Sequence, residues 1–449
     1  MEDLKLYELT NSQEVVMLQC KYTLFKRVIN IITSMSTKEE LDFDLMKKAL
    51  NIVIERNDCL RLRFVKKKGK MMQYFLKEDK IEQVPILEFK TAQEQDAFVK
   101  NLRKSAIKYM QGKVIEPYFI KTFDGKYMVL LKVCHLVLDI YGLNVIYKDL
   151  FAVYNSLKNN QDLPEAPIPF EAVVKHEVVK KNNKENHQKN LEFFTKLLQE
   201  REEPYYAGLH GNNNSIWQKQ LKKNKRAMKM FFINCDTEGY IHNIDKETTK
   251  KVFAYCEKVK QSPANFLFFA LSVTAGRLNN NTDKMLPLEL YNCRTNYETK
   301  NCAGTKVQSL GCYTTLDYNK TFQENFDKFC ADQRRLYRYI GFADMEFEQL
   351  LHKSYKSSML ETYYSLTYSF IPYELSEDLN FEIYSNGKCA LPAYLAQFYN
   401  VKTGEMAMAY DCQTKIISEQ GIADFHKKYL KVLNTIIERP EMELKDIEL

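Results

Sequence analysis

His135 and Asp139 stand four residues apart in Cys134-His135-Leu136-Val137-Leu138-Asp139-Ile140, and their types and spacing point to chemistry. A neutral imidazole in a partly dry cleft accepts a proton near neutral pH. Asp139 could orient the loop if it met a cation, whereas buried alone it would be costly. With seven histidines in the chain, a structural histidine is the competing reading of one such pair. The sequence holds no G-x-S-x-G, P-loop, Rossmann glycines or H-E-x-x-H, so no other constellation competes. The eleven cysteines are scattered singly, with no C-x-x-C and no Cys/His group at zinc spacing. Most of them read as buried, reduced thiols, and no metal site is expected.

The elements around His135 explain how it would be presented. The run Tyr127 to Val133 has the length and bounds of a buried strand. After Gly142, apolar residues recur at Leu143, Ile146, Tyr147, Leu150, Val153, Tyr154 and Leu157, the spacing of an amphipathic helix. His135 therefore sits where a strand fixed by packing passes through a loop into a helix, a place from which a side chain can reach a cleft.

At 449 residues the chain favours two lobes over one core, with a boundary near Glu171 to Lys181, giving units 1–175 and 176–449. Hydrophobic content of 45% with 27% charged residues fits an ordinary soluble protein. No signal peptide is legible in MEDLKLYELTNSQ, and the apolar run Phe266 to Ala275 is too short for a bilayer, so a cytoplasmic location is expected. The net charge of +7 gathers in runs such as Lys66-Lys67-Lys68 and Lys222 to Arg226. These read as solvated loops or as a surface for an acidic protein partner, and no nucleic-acid motif accompanies them.

Further elements are expected along the chain. Thr10 or Ser12 should cap a helix over residues 9–20, and a second helix holds Leu45 to Val53. Leu60 to Phe64 and Gln73 to Leu76 should form a hairpin, and residues 96–110 a helix. Strands are expected at Met230 to Cys235, Leu286 to Leu290, Gly311 to Leu316, Tyr364 to Phe370 and Glu382 to Tyr384. Ser262-Pro263 opens a helix through Leu278, Thr403-Gly404 turns a hairpin, and a final helix spans Gln420 to Glu438. Helix and strand alternate throughout, so the class is α/β or α+β.

The segment around His135 resembles the H-H-x-x-x-D-G core of nonribosomal peptide synthetase condensation domains, of the chloramphenicol acetyltransferase-like superfamily. His135 and Asp139 match the second histidine and the aspartate; Cys134 and Ile140 replace the first histidine and the glycine. Other segments resemble family motifs in the same order. Thr10 to Gln13 is similar to S-x-A-Q, Arg56 to Phe64 to R-H-E-x-L-R-T-x-F, and Pro169 to Val173 to the motif ending the first lobe. Leu310 to Thr315 resembles G-x-F-V-N-T, with Thr314 in place of asparagine, and Phe342 to Glu348 resembles Q-D-Y-P-F-E. The last ten residues resemble the linker that follows such domains.

The resemblance implies two acetyltransferase-like lobes in a V-shaped pseudo-dimer, with His135 midway along a central tunnel. Cys134, Gly142 and Thr314 would lie along that tunnel. It implies that Arg294 pairs with Asp139, and that His135 removes a proton from an attacking amine or holds the ammonium as it forms. The backbone N–H of Ile140 would stabilise an oxyanion. The reaction would be amide formation from a carrier-bound acyl or aminoacyl thioester. No cofactor of its own is implied, only the phosphopantetheine arm of peptidyl or acyl carrier proteins acting in trans, or coenzyme A. A stand-alone monomer that binds neither membrane nor nucleic acid is expected. A catalytically degenerate domain that recruits carriers or enzymes, and an acyl-CoA-dependent acyltransferase of the same superfamily, remain open. The glutamate that marks epimerisation domains is absent, since Leu290 stands four residues before Arg294 and Glu289 is off by one.

Overall fold

The computed structural model describes residues 5–375 and 378–449. Residues 1–4, part of the stretch read for a signal peptide, lie outside them. The described chain divides into two compact units. The first is Met1–Lys184 with Asn292–Gln308 and Leu375–Gly387, and the second is the remainder. This differs from a single cut between residues 175 and 176. Residue 175 lies inside a continuous helix, Phe170–Lys181, and two later segments belong to the first unit.

In the first unit the motif strand, Tyr127–Cys134, is the middle of a five-stranded sheet. Its antiparallel neighbours are Asn30–Thr37 and Ile115–Lys121, with Leu379–Tyr384 and Ile86–Glu88 at the edges. Every residue from Met128 to Cys134 is buried, as expected of a strand covered on both faces. Helices Phe43–Arg56 and Ile140–Lys158 bury Met46, Leu50, Val53, Leu143, Ile146 and Leu150 in one apolar cluster that also takes Val129, Leu131 and Val133. A small second sheet pairs Tyr7–Glu8, Lys70–Phe75 and Leu62–Lys67. Its hairpin turns at Lys68 and Gly69, both at positive φ (50° and 78°), the geometry of a tight hairpin turn.

The second unit carries a six-stranded sheet in the order Gln308–Gly311, Leu288–Tyr291, Thr367–Tyr373, Ala393–Asn400, Met406–Gln413, Thr237–Ile244. Helix Pro263–Leu278, buried throughout from Phe266 to Gly276, and helix Glu419–Glu438 pack into the same core.

The capped helices match expectation closely. Thr10 caps Asn11–Tyr22 in a capping box with Gln13, and Ser262 caps Pro263–Leu278. Two strand expectations do not hold as stated. Met230 to Cys235 is not a strand: only Met228–Lys229 pairs there, with Glu361–Thr362. The edge strand is instead Thr237–Ile244, whose exposed positions Glu238, Gly239, Ile241 and Asn243 leave no apolar run to read. Gly311 to Leu316 is broken into Gln308–Gly311 and Thr314–Thr315, because these segments pair with different partners.

Helix Phe170–Lys181 begins after Pro169, which offers no side-chain cap. Asp58, more than a hundred residues earlier, supplies it: its two carboxylate oxygens accept from the Phe170 N–H (2.6 Å) and the Glu171 N–H (2.9 Å). Asp58→Ala therefore leaves two donors without partners and should cost about 1 to 2 kcal/mol. The check is the urea midpoint, expected to fall with an unchanged denaturant slope.

Candidate active site

The site is built within the first unit, on the loop between the motif strand and helix Ile140–Lys158. The loop's backbone is tied on every side. The His135 N–H donates to the Ile29 carbonyl (2.8 Å). The buried Thr305 hydroxyl donates to the His135 carbonyl (2.5 Å). Gln13 donates its side-chain amide to the Leu136 carbonyl (3.0 Å) and exchanges hydrogen bonds with Gln73. Leu138 forms an antiparallel bridge with Gly304.

The ring of His135 is fixed by the same loop. Its Nδ1 lies 3.0 Å from the Leu138 carbonyl oxygen. A carbonyl accepts only, so Nδ1 carries the proton and Nε2 presents its lone pair. Nε2 has no protein partner among the described residues. His135 is partly exposed, yet its enclosure by protein lowers its pKa from the ordinary 6.5, and the Asp139 charge only partly opposes this. The imidazole is thus neutral at neutral pH.

Asp139 is held by a separate set of partners. It is the N-cap of helix Ile140–Lys158, accepting from the Gly142 N–H at 2.7 Å. Arg294 reaches both of its oxygens, Nη1 to Oδ2 at 2.8 Å and Nη2 to Oδ1 at 2.9 Å. The Lys306 N–H donates to Oδ2 at 2.8 Å. Four donors on two oxygens satisfy a carboxylate that is 5% exposed. Arg294 itself donates to the Gly304 carbonyl (2.5 Å) and lies over the Tyr141 ring, 4.6 Å from its centroid.

The remaining candidates have plainer places. Cys134 is fully buried in the apolar cluster, and burial pushes its thiol up to about 12. It belongs to the core and not to a substrate path, and it is no thiolate nucleophile. Ile140 is the first residue of the helix and is not among the residues at positive φ, so nothing in the backbone there calls for glycine. Its N–H is one of the first-turn donors that a helix cannot satisfy internally. Gly142 is a packing residue: a Cβ there would fall 1.7 Å from the Ala303 carbonyl oxygen. Thr314 lies in the second unit, 2% exposed, its hydroxyl donating to the Cys312 carbonyl (3.0 Å).

Residues 303–306 are the part of the site that sequence reading missed. The stretch reads as an ordinary loop, and its partners lie some 165 positions away. Lys306 also forms a buried ion pair with Glu177 of helix Phe170–Lys181. Gly304 is met by the Phe170 ring, where a Cβ would come within 2.0 Å. Among the described residues, no group of three or more His, Cys, Asp or Glu side chains could hold a metal ion, and no helix is long and apolar enough to cross a membrane.

The family model of the condensation domain matches residues 4–449. The chain belongs to the condensation-domain family. One of the plipastatin synthase proteins of Bacillus subtilis (strain 168) is 20% identical over 455 residues, covering 99% of this chain. Gramicidin S synthase 2 of Brevibacillus brevis is 26% identical over 181 residues, 38% of the chain. The matches span only 17% and 4% of those relatives' lengths. Among solved structures, the starter condensation domain of rhizomide synthetase, a mutant in complex with C8-CoA and Leu-SNAC, superposes with a TM-score of 0.81 at 13% identity, covering 99% of this chain and 97% of that one. The first condensation domain of the calcium-dependent antibiotic synthetase, with a substrate analogue, gives 0.80 at 12% identity and 99% coverage of this chain and of its own. The mixed α/β fold is that of condensation domains of the nonribosomal peptide synthetase type.

The ion pair at the base of this condensation-domain motif makes a direct prediction. Arg294→Met leaves the Asp139 carboxylate buried without its cation and should cost about 3 to 5 kcal/mol. Asp139→Asn combined with Arg294→Met should cost less than the sum of the two single changes, as read from chemical denaturation of all four proteins.

Proposed function

We propose that this condensation domain is an acyltransferase that joins an acyl or aminoacyl thioester, carried on the phosphopantetheine arm of a carrier protein, to an amine acceptor. The observation that carries the reading is the state of His135: Nδ1–H is committed to the Leu138 carbonyl, and Nε2 is left as an unprotonated base in an enclosed setting. In the proposed step the acceptor nitrogen attacks the thioester carbonyl and forms the C–N bond. Its proton passes to Nε2 of His135 as positive charge grows on nitrogen. The C–S bond then breaks, and the proton is returned to the departing thiolate, so that amide and free thiol leave. The Ile140 N–H, at the start of a helix, is the proposed donor to the oxyanion.

Asp139 and Arg294 act in this proposal by holding the loop, not by touching the reacting atoms. The C8-CoA and Leu-SNAC bound by the rhizomide synthetase domain are of the thioester chemistry proposed here. The departures at Cys134 and Ile140 do not speak for a degenerate site, since the first is core and the second is ordinary helical backbone.

Wild type and His135→Ala are to be compared by mass spectrometry, using acyl-pantetheine thioesters and amino-acyl acceptors, free and carrier-loaded. Amide from the wild type, reduced by about 100-fold or more in the variant, is expected for a general base. Equal product from both proteins removes His135 from the mechanism. Carrier binding without product in either points to recruitment, and turnover of free acyl-CoA without a carrier to the CoA-dependent reading.

The lowered pKa adds an independent prediction. Folding here disfavours the protonated imidazole, so the neutral base should persist below pH 6.5 and be lost only as pH falls through the lowered value. The His135 ring proton resonance, assigned by its absence in His135→Ala, should titrate with a midpoint below 6.5.

A further inference from the structure

Three of the four polar groups of His135 are bound within the protein. Its N–H is held by Ile29, its Nδ1–H by Leu138 and its carbonyl by the hydroxyl of Thr305. The first two are contacts of the motif loop with itself and with the residue just before strand Asn30–Thr37. The third comes from a distant stretch of chain, from a side chain that is 0% exposed and makes its one hydrogen bond to that carbonyl. Thr305 is itself fixed between Gly304, whose carbonyl Arg294 holds, and Lys306, whose N–H holds Asp139 and whose ammonium pairs with Glu177. A β-branched side chain has few rotamers, so the hydroxyl arrives already aimed.

We propose that Thr305 is a positioning residue for His135, setting the rotation of the His135 peptide and hence the direction in which Nε2 points. The inference rests on the base role given to His135 above. The physical reason is local. The His135 carbonyl leaves the strand just where the chain begins to turn, and rotation of that peptide swings the Cα–Cβ bond of His135 and moves the ring. A buried carbonyl left without a donor is unfavourable, so without the hydroxyl the peptide has reason to rotate toward another donor. A displacement on the order of 1 Å at a reacting group can cost about 100-fold in rate.

The test compares Thr305→Val, which keeps shape and removes the donor, with Thr305→Ser, which keeps the donor and loses a methyl. In the valine protein kcat should fall about 10- to 100-fold with KM changed less than about twofold, and the serine protein should recover most of that loss. The His135 ring proton shift and its titration midpoint should move in the valine protein and return in the serine protein. The charged groups around the loop, Asp139, Arg294 and Lys306, are the same in both, so such a movement reports ring position. Valine with wild-type kcat and an unmoved titration overturns the proposal. So does serine as slow as valine, which would make the residue a packing element only. If the valine protein does not fold, Thr305→Cys, which keeps the volume and weakens the donor, replaces it with the same expectations. The titration arm needs no turnover: if wild type makes no amide at all, the function reading fails while the positioning of His135 is still decided by the shifts.

Discussion

A carboxylate taken out of water has to be given back the interactions it loses, and the geometry of this site follows from how that is done for Asp139. Burial of an isolated carboxylate would cost several kcal/mol. Here its two oxygens receive two guanidinium N–H groups and two backbone N–H groups, all between 2.7 and 2.9 Å. One backbone donor begins the helix after the motif, and the other lies in the stretch 303–306. A single side chain therefore joins three pieces of backbone, and none can shift without stranding a charge. Removing either partner of such a buried pair strands the other charge.

His135 profits from that rigidity without being part of the ion pair. The loop turns tightly enough for the ring to reach its own backbone three residues on, which settles the tautomer. Gly142 and Gly304 let backbone and ring approach closer than any Cβ would allow, so the helix start, the 303–306 stretch and Phe170 form one packed joint. Gln13, at the end of the chain's first capping box, closes the loop from another side. The lone pair of Nε2 is what remains after the other polar groups of His135 have been used.

The parts legible in the sequence are those written in local pattern. The strand before His135 and the helix after Gly142 declare themselves by apolar spacing, and Thr10 and Ser262 by capping chemistry. The pairing of Asp139 with Arg294 follows from family resemblance, and the bidentate geometry agrees with it. The strands flanking the motif strand are harder to read. Asn30–Thr37 is mostly serine, threonine and asparagine, and Ile115–Lys121 contains Pro117, so neither shows the expected composition though both lie inside the sheet. Thr305 and Lys306 carry no local signal, because their meaning lies in partners brought together only by the completed fold.

The membership of residues 292–308 in the first unit bears on synthesis as well as on architecture. As the chain leaves the ribosome, the motif loop emerges well over a hundred residues before the arginine, glycine, threonine and lysine that complete it. During that interval Asp139 can keep its water, and the loop has no reason to take its final shape. The motif loop is therefore completed late, when a contact spanning some 155 residues closes and the entropy of that long loop is finally surrendered. A chain cut before residue 292 would hold the strand and helix of the motif without the partners that fix the loop between them.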